Sequence, residues 1–151
     1  MSERASRLYT ESTVIMTTVR FVAPFVFTFG LFVMFHGADS SGGGFQGGAI
    51  VAAMVLMLAF AFGLESTRQW FRSSAVVGLA TGGALAFVAI GLGPIFRGGA
   101  FLEYEMYGID HAAKYGIEGV ELAIGAIVAA AISGIIFAIA GGFEYTEERD
   151  D

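Results

Sequence analysis

Four long apolar runs, separated by short polar stretches, divide the chain at about 14–35, 47–64, 74–96 and 117–143. Each approaches or exceeds the roughly 18–20 residues that a helix needs to cross a hydrocarbon core of about 30 Å. None alternates polar with apolar residues, whereas barrel strands would be about 10 residues long and strictly alternating. The pattern predicts an all-α integral membrane protein with four transmembrane helices and short loops. Residues 1–13 read as a polar amino-terminal tail and 144–151 as an acidic carboxy-terminal tail. The first run does not read as a cleavable signal, because Glu3 and Glu11 dilute the positive start and the long apolar stretch carries Arg20.

Composition narrows the class further. Hydrophobic residues make up 56% of the chain and charged residues 15%, against about 25% charged residues in ordinary soluble domains. The net charge of −6 speaks against a nucleic-acid partner, which would call for a basic face. The lack of cysteine removes thiolate metal ligands and thiol nucleophiles. No nucleophile–base pair, metal-ligand set or cofactor motif stands out, so neither catalysis nor a cofactor is expected. Arginine far outnumbers lysine and the tail from Glu144 to Asp151 is rich in acids, a balance suited to a salt-rich cytoplasm. Arg4, Arg7, Arg68, Arg72 and Arg149 fall on one side of the predicted spans, with only Arg97 and Lys114 on the other. The excess places both termini in the cytoplasm by the positive-inside rule. The loop after the first span then lies at the outer surface. Trp70 and Phe71 fall at the inner headgroup level, and Tyr104, Tyr107 and Tyr115 at the outer one.

That first loop is the most distinctive stretch of the chain: His36-Gly37-Ala38-Asp39-Ser40-Ser41-Gly42-Gly43-Gly44-Phe45-Gln46-Gly47-Gly48. Residues 42–47 satisfy the dinucleotide pattern GxGxxG, and Glu65 falls near the spacing of a ribose-binding acid. The match fails on context, because that motif needs a strand before it and a βαβ unit around it, and membrane spans flank this loop. Glycine permits positive φ and close backbone approach, so the loop is expected to turn tightly and bring the second span against a partner subunit. Phe45 is expected to plug back into the apolar layer, and Gln46 and Asp39 to satisfy open backbone groups. A plain exposed hairpin is the alternative.

The signature carried by His36, Gly37, Gly42, Gly43, Gly44, Phe45, Gln46, Gly47 and Gly48, after a first span with an internal arginine, resembles the MnhB-type subunits of the multisubunit Na+/H+ (Mrp or Mnh) antiporters. The four-span layout extends the resemblance over nearly the whole chain. Ser41 departs from the pattern, which is expected to carry proline there. The resemblance implies a small prokaryotic cell-membrane subunit, packed against the other subunits of a complex that exchanges Na+ for H+. An equivalent subunit of a membrane-bound hydrogenase-type complex is the first alternative, and a stand-alone small channel is the second.

Charges within the apolar runs supply the remaining candidates for an ion path or polar network. A central arginine costs about 2.5–3.5 kcal/mol on insertion scales. Arg20 therefore either faces a neighbouring subunit or hydrated path, or snorkels to the inner headgroups. Pro24 cannot donate to the Arg20 carbonyl and is expected to kink the helix. Glu118 and Glu121, three residues apart, share a helix face at the outer start of the fourth span. They are the best carboxylates for proton or cation handling, because burial disfavours the charged form of a carboxyl group; two solvated interface acids are the plainer reading. His36 with Asp39, and Asp110 with His111, lack a third ligand for a metal, and Asp39 is expected to cap the first helix. The loop 97–116 is expected to hold a short interfacial helix. Gly78 with Gly82, and Ala126 with Ala130 and Gly134, form small-residue ridges suited to close helix packing in lipid.

Overall fold

Ser12 precedes the first helix in an extended conformation, and apolar residues then carry α1 from Thr13 to Phe35. The computed structural model describes residues 12–147, with side chains through residue 140. Arg4, Arg7 and Arg149, which contribute to the charge argument for orientation, lie outside the described residues, as do residues 1–11 of the amino-terminal tail and 148–151 of the carboxy-terminal one. After α1 come α2 (Gly44–Phe62), the short α3 (Leu64–Trp70), α4 (Ser73–Leu92) and α5 (Ala112–Glu147). Two single 3₁₀ turns, Ile95–Arg97 and Tyr104–Tyr107, lie between α4 and α5. Four of these segments are long and apolar enough to cross a membrane: Thr13–Phe35, Gly44–Phe62, Ser73–Arg97 and Ala112–Ala140.

Pro24 does not break α1, which continues as one helix around it. Thr28 Oγ1 donates to the Pro24 carbonyl at 2.8 Å and Thr18 Oγ1 to the Val14 carbonyl at 2.8 Å, so hydroxyls supplement the backbone ladder on either side of the proline. The second span begins three residues earlier than expected, inside the glycine run. It stops at Phe62 because Gly63 adopts φ 87°, a conformation that glycine adopts readily and that ends the helix. The fourth begins at Ala112 rather than near residue 117.

The spans form a row in the order α1, α2, α5, α4, with α1 meeting α5 only lightly. Small residues set the contacts. A Cβ placed on Gly47 would lie 2.6 Å from the Gly30 carbonyl oxygen, and one on Gly48 would lie 2.6 Å from that of Gly125. Gly83 is pressed in the same way against Ala123, Ala126 and Ile127. In lipid, helices associate through packing of this kind, since the hydrophobic effect no longer favours association. The glycine pair expected to pack α4 does not do so within this chain: nothing lies within 4 Å of a Cβ built on Gly78 or Gly82. Phe21, Phe25, Phe29 and Phe32 of α1 are exposed at helical spacing. At the end nearest α3, Ala23, Met54, Val55 and Phe137 form a small core.

The segment between α4 and α5 is ordered by its own contacts, with two 3₁₀ turns where a short helix was expected. Arg97 donates to the Met106 and Tyr107 carbonyls at 3.0 and 2.6 Å, and the Tyr107 hydroxyl donates to the Ile90 carbonyl at 2.6 Å. Tyr104 packs onto Gly116 and Phe101 onto Gly91. Tyr104 and Tyr107 thus brace this segment against α4 and α5, while Tyr115 is exposed.

Candidate functional site

The connection from α1 to α2 folds over the start of α5. His36 closes α1 by donating from Nδ1 to the Phe32 carbonyl at 3.0 Å, because a carbonyl oxygen can only accept; its ring stacks on Phe32 with centroids 4.1 Å apart. Ser40 Oγ donates to the His36 carbonyl at 2.9 Å. Asp39 does not cap the helix through its side chain: its carboxylate forms an ion pair with Lys114 at the start of α5. Gly42 and Gly43 have φ of 148° and 147°. Residues with a Cβ rarely adopt that region, so this turn requires glycine at both positions.

Beneath the turn lies the carboxylate of Glu121. A Cβ on Gly37 would overlap the carboxylate itself, and one on Gly43 would lie 2.8 Å from Oε1. A Cβ on Gly44 would overlap the Glu121 backbone carbonyl and lie 2.9 Å from Ile124 Cβ. The glycines therefore divide their work. Gly37 and Gly43 vacate the volume that the Glu121 side chain fills. Gly44 and Gly48 bring α2 onto α5, and Gly47 brings α2 onto α1. The tight turn seats α2 against α1 and α5 of its own chain. Glu121 Oε2 is buried and has no hydrogen-bond partner among the described residues, so Glu121 differs from the solvated interface acid that its position near a span end suggested.

Lys114, Glu118 and Glu121 fall at positions i, i+4 and i+7 of α5, on one face. Glu118 lies within Coulombic reach of both Lys114 and Glu121. The arrangement runs from an exposed Lys114–Asp39 pair, with 44% and 53% of the side chains accessible, through half-buried Glu118 to the enclosed Glu121 oxygen. Lys114 and Asp39 were not foreseen as partners, although Lys114 is the single lysine of the chain and falls one helical turn before Glu118. Phe45 is not packed within the chain, being 62% exposed, and Gln46 is exposed beside it.

Arg20 belongs to a different place. Its guanidinium lies 5.3 Å from the ring centroid of Phe62, the last residue of α2, whereas Glu121 is packed against the first residues of α2. The two are at opposite ends of the α2 span, so Arg20 is nearer a span end than its position in the first apolar run suggested.

Four apolar spans that meet through small residues, with one carboxylate oxygen buried beneath a glycine turn at one end, define a multi-pass integral membrane protein. A sequence model described as "Domain related to MnhB subunit of Na+/H+ antiporter" matches residues 14–144. A Staphylococcus haemolyticus protein named "Putative antiporter subunit mnhB2" is 30% identical over 139 residues, 87% of this chain and 97% of that protein. A protein of the same name from Staphylococcus aureus is 32% identical over 101 residues, 63% of this chain and 68% of its own length. "Uncharacterized protein MJ1307" of Methanocaldococcus jannaschii is 37% identical over 73 residues, 48% of this chain but 28% of that longer protein. The chain belongs to the MnhB family.

Proposed function

We propose that this chain is the MnhB-type subunit of a multisubunit Na+/H+ antiporter, and that Glu121 is its ion-handling carboxylate. Membership of the MnhB family and the full-length likeness to an antiporter subunit support the first part. The relatives' names give no support to the hydrogenase-linked or stand-alone channel readings. Partners are then the other antiporter subunits, in the cell membrane of a prokaryote, with both termini cytoplasmic and the glycine turn outside.

The second part rests on one observation: a buried Glu121 oxygen without a donor among the described residues, in a space kept open by glycines. A carboxylate oxygen removed from water needs a proton, a cation, a water or another donor. Each of the first two is an ion that the complex moves. Glu118 and the Lys114–Asp39 pair would form the approach, with Lys114 drawn aside by Asp39 so that it does not neutralise Glu121.

The test is Na+-dependent collapse of a pH gradient in everted vesicles carrying the whole complex. Glu121→Gln keeps the shape and removes the charge, so the complex should assemble without exchange activity. Glu121→Asp should retain part of it. Exchange at the wild-type rate in Glu121→Gln refutes the assignment and leaves Glu121 a packing residue.

A further inference from the structure

The opposite end of the α1–α2 pair carries a second feature that the ion-handling proposal does not use. An apolar groove of about 360 Å³ lies among Arg20, Ala23, Phe27, Met54, Leu58 and Trp70. Arg20 is exposed at its rim, over the face of Phe62, and has no carboxylate within ion-pair distance among the described residues. Trp70 ends α3 and is itself exposed. Arg68 and Arg72 flank it in sequence, and Glu65 is the acidic residue of α3.

From these contacts we infer that the groove is a binding site for one anionic phospholipid. The phosphate would be held by Arg20, with Arg68 and Arg72 adding positive charge at the same end. One acyl chain would lie along Ala23, Phe27, Met54 and Leu58. Three observations favour a lipid over other anions. The guanidinium lies near the end of a membrane-spanning helix without a partner carboxylate among the described residues, where an arginine reaches for the interface and a headgroup phosphate can neutralise it. The groove beneath it is almost wholly apolar, which a free phosphate would not fill. An exposed tryptophan marks the depth at which headgroups meet hydrocarbon. Basic pockets between spans recognise acidic headgroups on these terms. The inference is independent of Glu121, which is packed at the other end of α2.

Trp70 is the chain's single tryptophan, so it reports on the site directly. The full-length chain is reconstituted in phosphatidylcholine bilayers containing either phosphatidylglycerol or phosphatidylcholine brominated on the acyl chains, and quenching of Trp70 is followed against mole fraction. An arginine near the surface contributes about 1 kcal/mol toward an acidic lipid, so the brominated phosphatidylglycerol should reach half-quenching at a mole fraction about fivefold lower. Arg20→Gln should bring the two curves together, and Arg20→Lys should keep most of the separation. If Arg20→Gln does not reconstitute, Leu58→Phe, which fills the groove and leaves the guanidinium in place, should weaken quenching by the phosphatidylglycerol form. Equal quenching by the two lipids in the wild type overturns the site. So does a preference that survives Arg20→Gln, or one that Leu58→Phe leaves unchanged, and the guanidinium would then be left to a carboxylate on a neighbouring subunit.

Discussion

Replacing Gly37 by alanine separates the carboxylate's position from the packing of the helices. The new methyl group would occupy the space of the Glu121 carboxylate, which is the far end of a flexible side chain. Gly37 is not among the positive-φ glycines, so its backbone accepts alanine without strain. Moving Glu121 to another or slightly strained rotamer costs about 0.5–1.5 kcal/mol. Restricting the unfolded chain at this position returns about 0.4–1 kcal/mol. The two nearly cancel, so the folded chain should keep its stability within about 1 kcal/mol while the carboxylate leaves its cradle. Gly48→Ala is the contrasting perturbation. Its methyl group would meet the Gly125 carbonyl at 2.6 Å and Val128 Cβ at 2.9 Å, so backbone rather than a side-chain tip must move. Overpacking costs about 1–3 kcal/mol, offset by about 1 kcal/mol of helix propensity, which leaves a net loss of up to about 2 kcal/mol at the α2–α5 contact. Both variants are expressed within the complete complex in cells lacking their own antiporter. Recovered complex and Na+-dependent pH-gradient collapse are then measured on the same vesicles. Gly37→Ala should be recovered like the wild type with exchange reduced about tenfold or more, since small misplacements of a reacting group cost orders of magnitude. Gly48→Ala should lose recovery and exchange in parallel. Wild-type exchange in Gly37→Ala, beside an inactive Glu121→Gln, would refute the idea that the glycine exists to seat the carboxylate.

Other consequences are more local. The Lys114–Asp39 pair is about half exposed; a double-mutant cycle with Lys114→Met and Asp39→Asn should give only a small coupling, one that shrinks with added salt. Tyr107→Phe removes the hydrogen bond to the Ile90 carbonyl and should cost about 1 kcal/mol of thermal stability, with faster amide exchange across residues 97–108. Gly78→Ala meets nothing within 4 Å and should leave the isolated chain's stability unchanged or raise it by up to about 1 kcal/mol through helix propensity. Burial, with a smaller contribution from Tyr107, holds the Tyr104 phenol above its ordinary value of 10.0. The folded chain therefore keeps this proton where the unfolded chain loses it, and the group's contribution to stability falls as pH rises past about 10. Tyr104→Phe should remove that alkaline component of a melting-temperature profile.

The four spans were legible because hydropathy is a local property: apolar length alone decides whether a segment can cross a bilayer, whatever its neighbours. The glycine turn was legible as a turn for the same reason, and its mimicry of a nucleotide loop could be dismissed from the spans on either side. Its purpose was not legible, because that depends on which residue of a distant helix lies beneath it. Lys114 and Asp39 are far apart in sequence, and only the parallel packing of α2 on α5 brings the α1–α2 connection over the start of α5. The same packing carries Glu121 under Gly37 and Gly43. A carboxylate at the start of a span reads as solvated when that helix is taken alone, and becomes enclosed once a second backbone closes over it. An oxygen of Glu121 stays buried only while two residues above it carry no side chain. The identity of those residues is therefore part of the carboxylate's setting: a methyl group at either position would push the acid toward water, and the ion-handling role proposed for it would be lost with its burial.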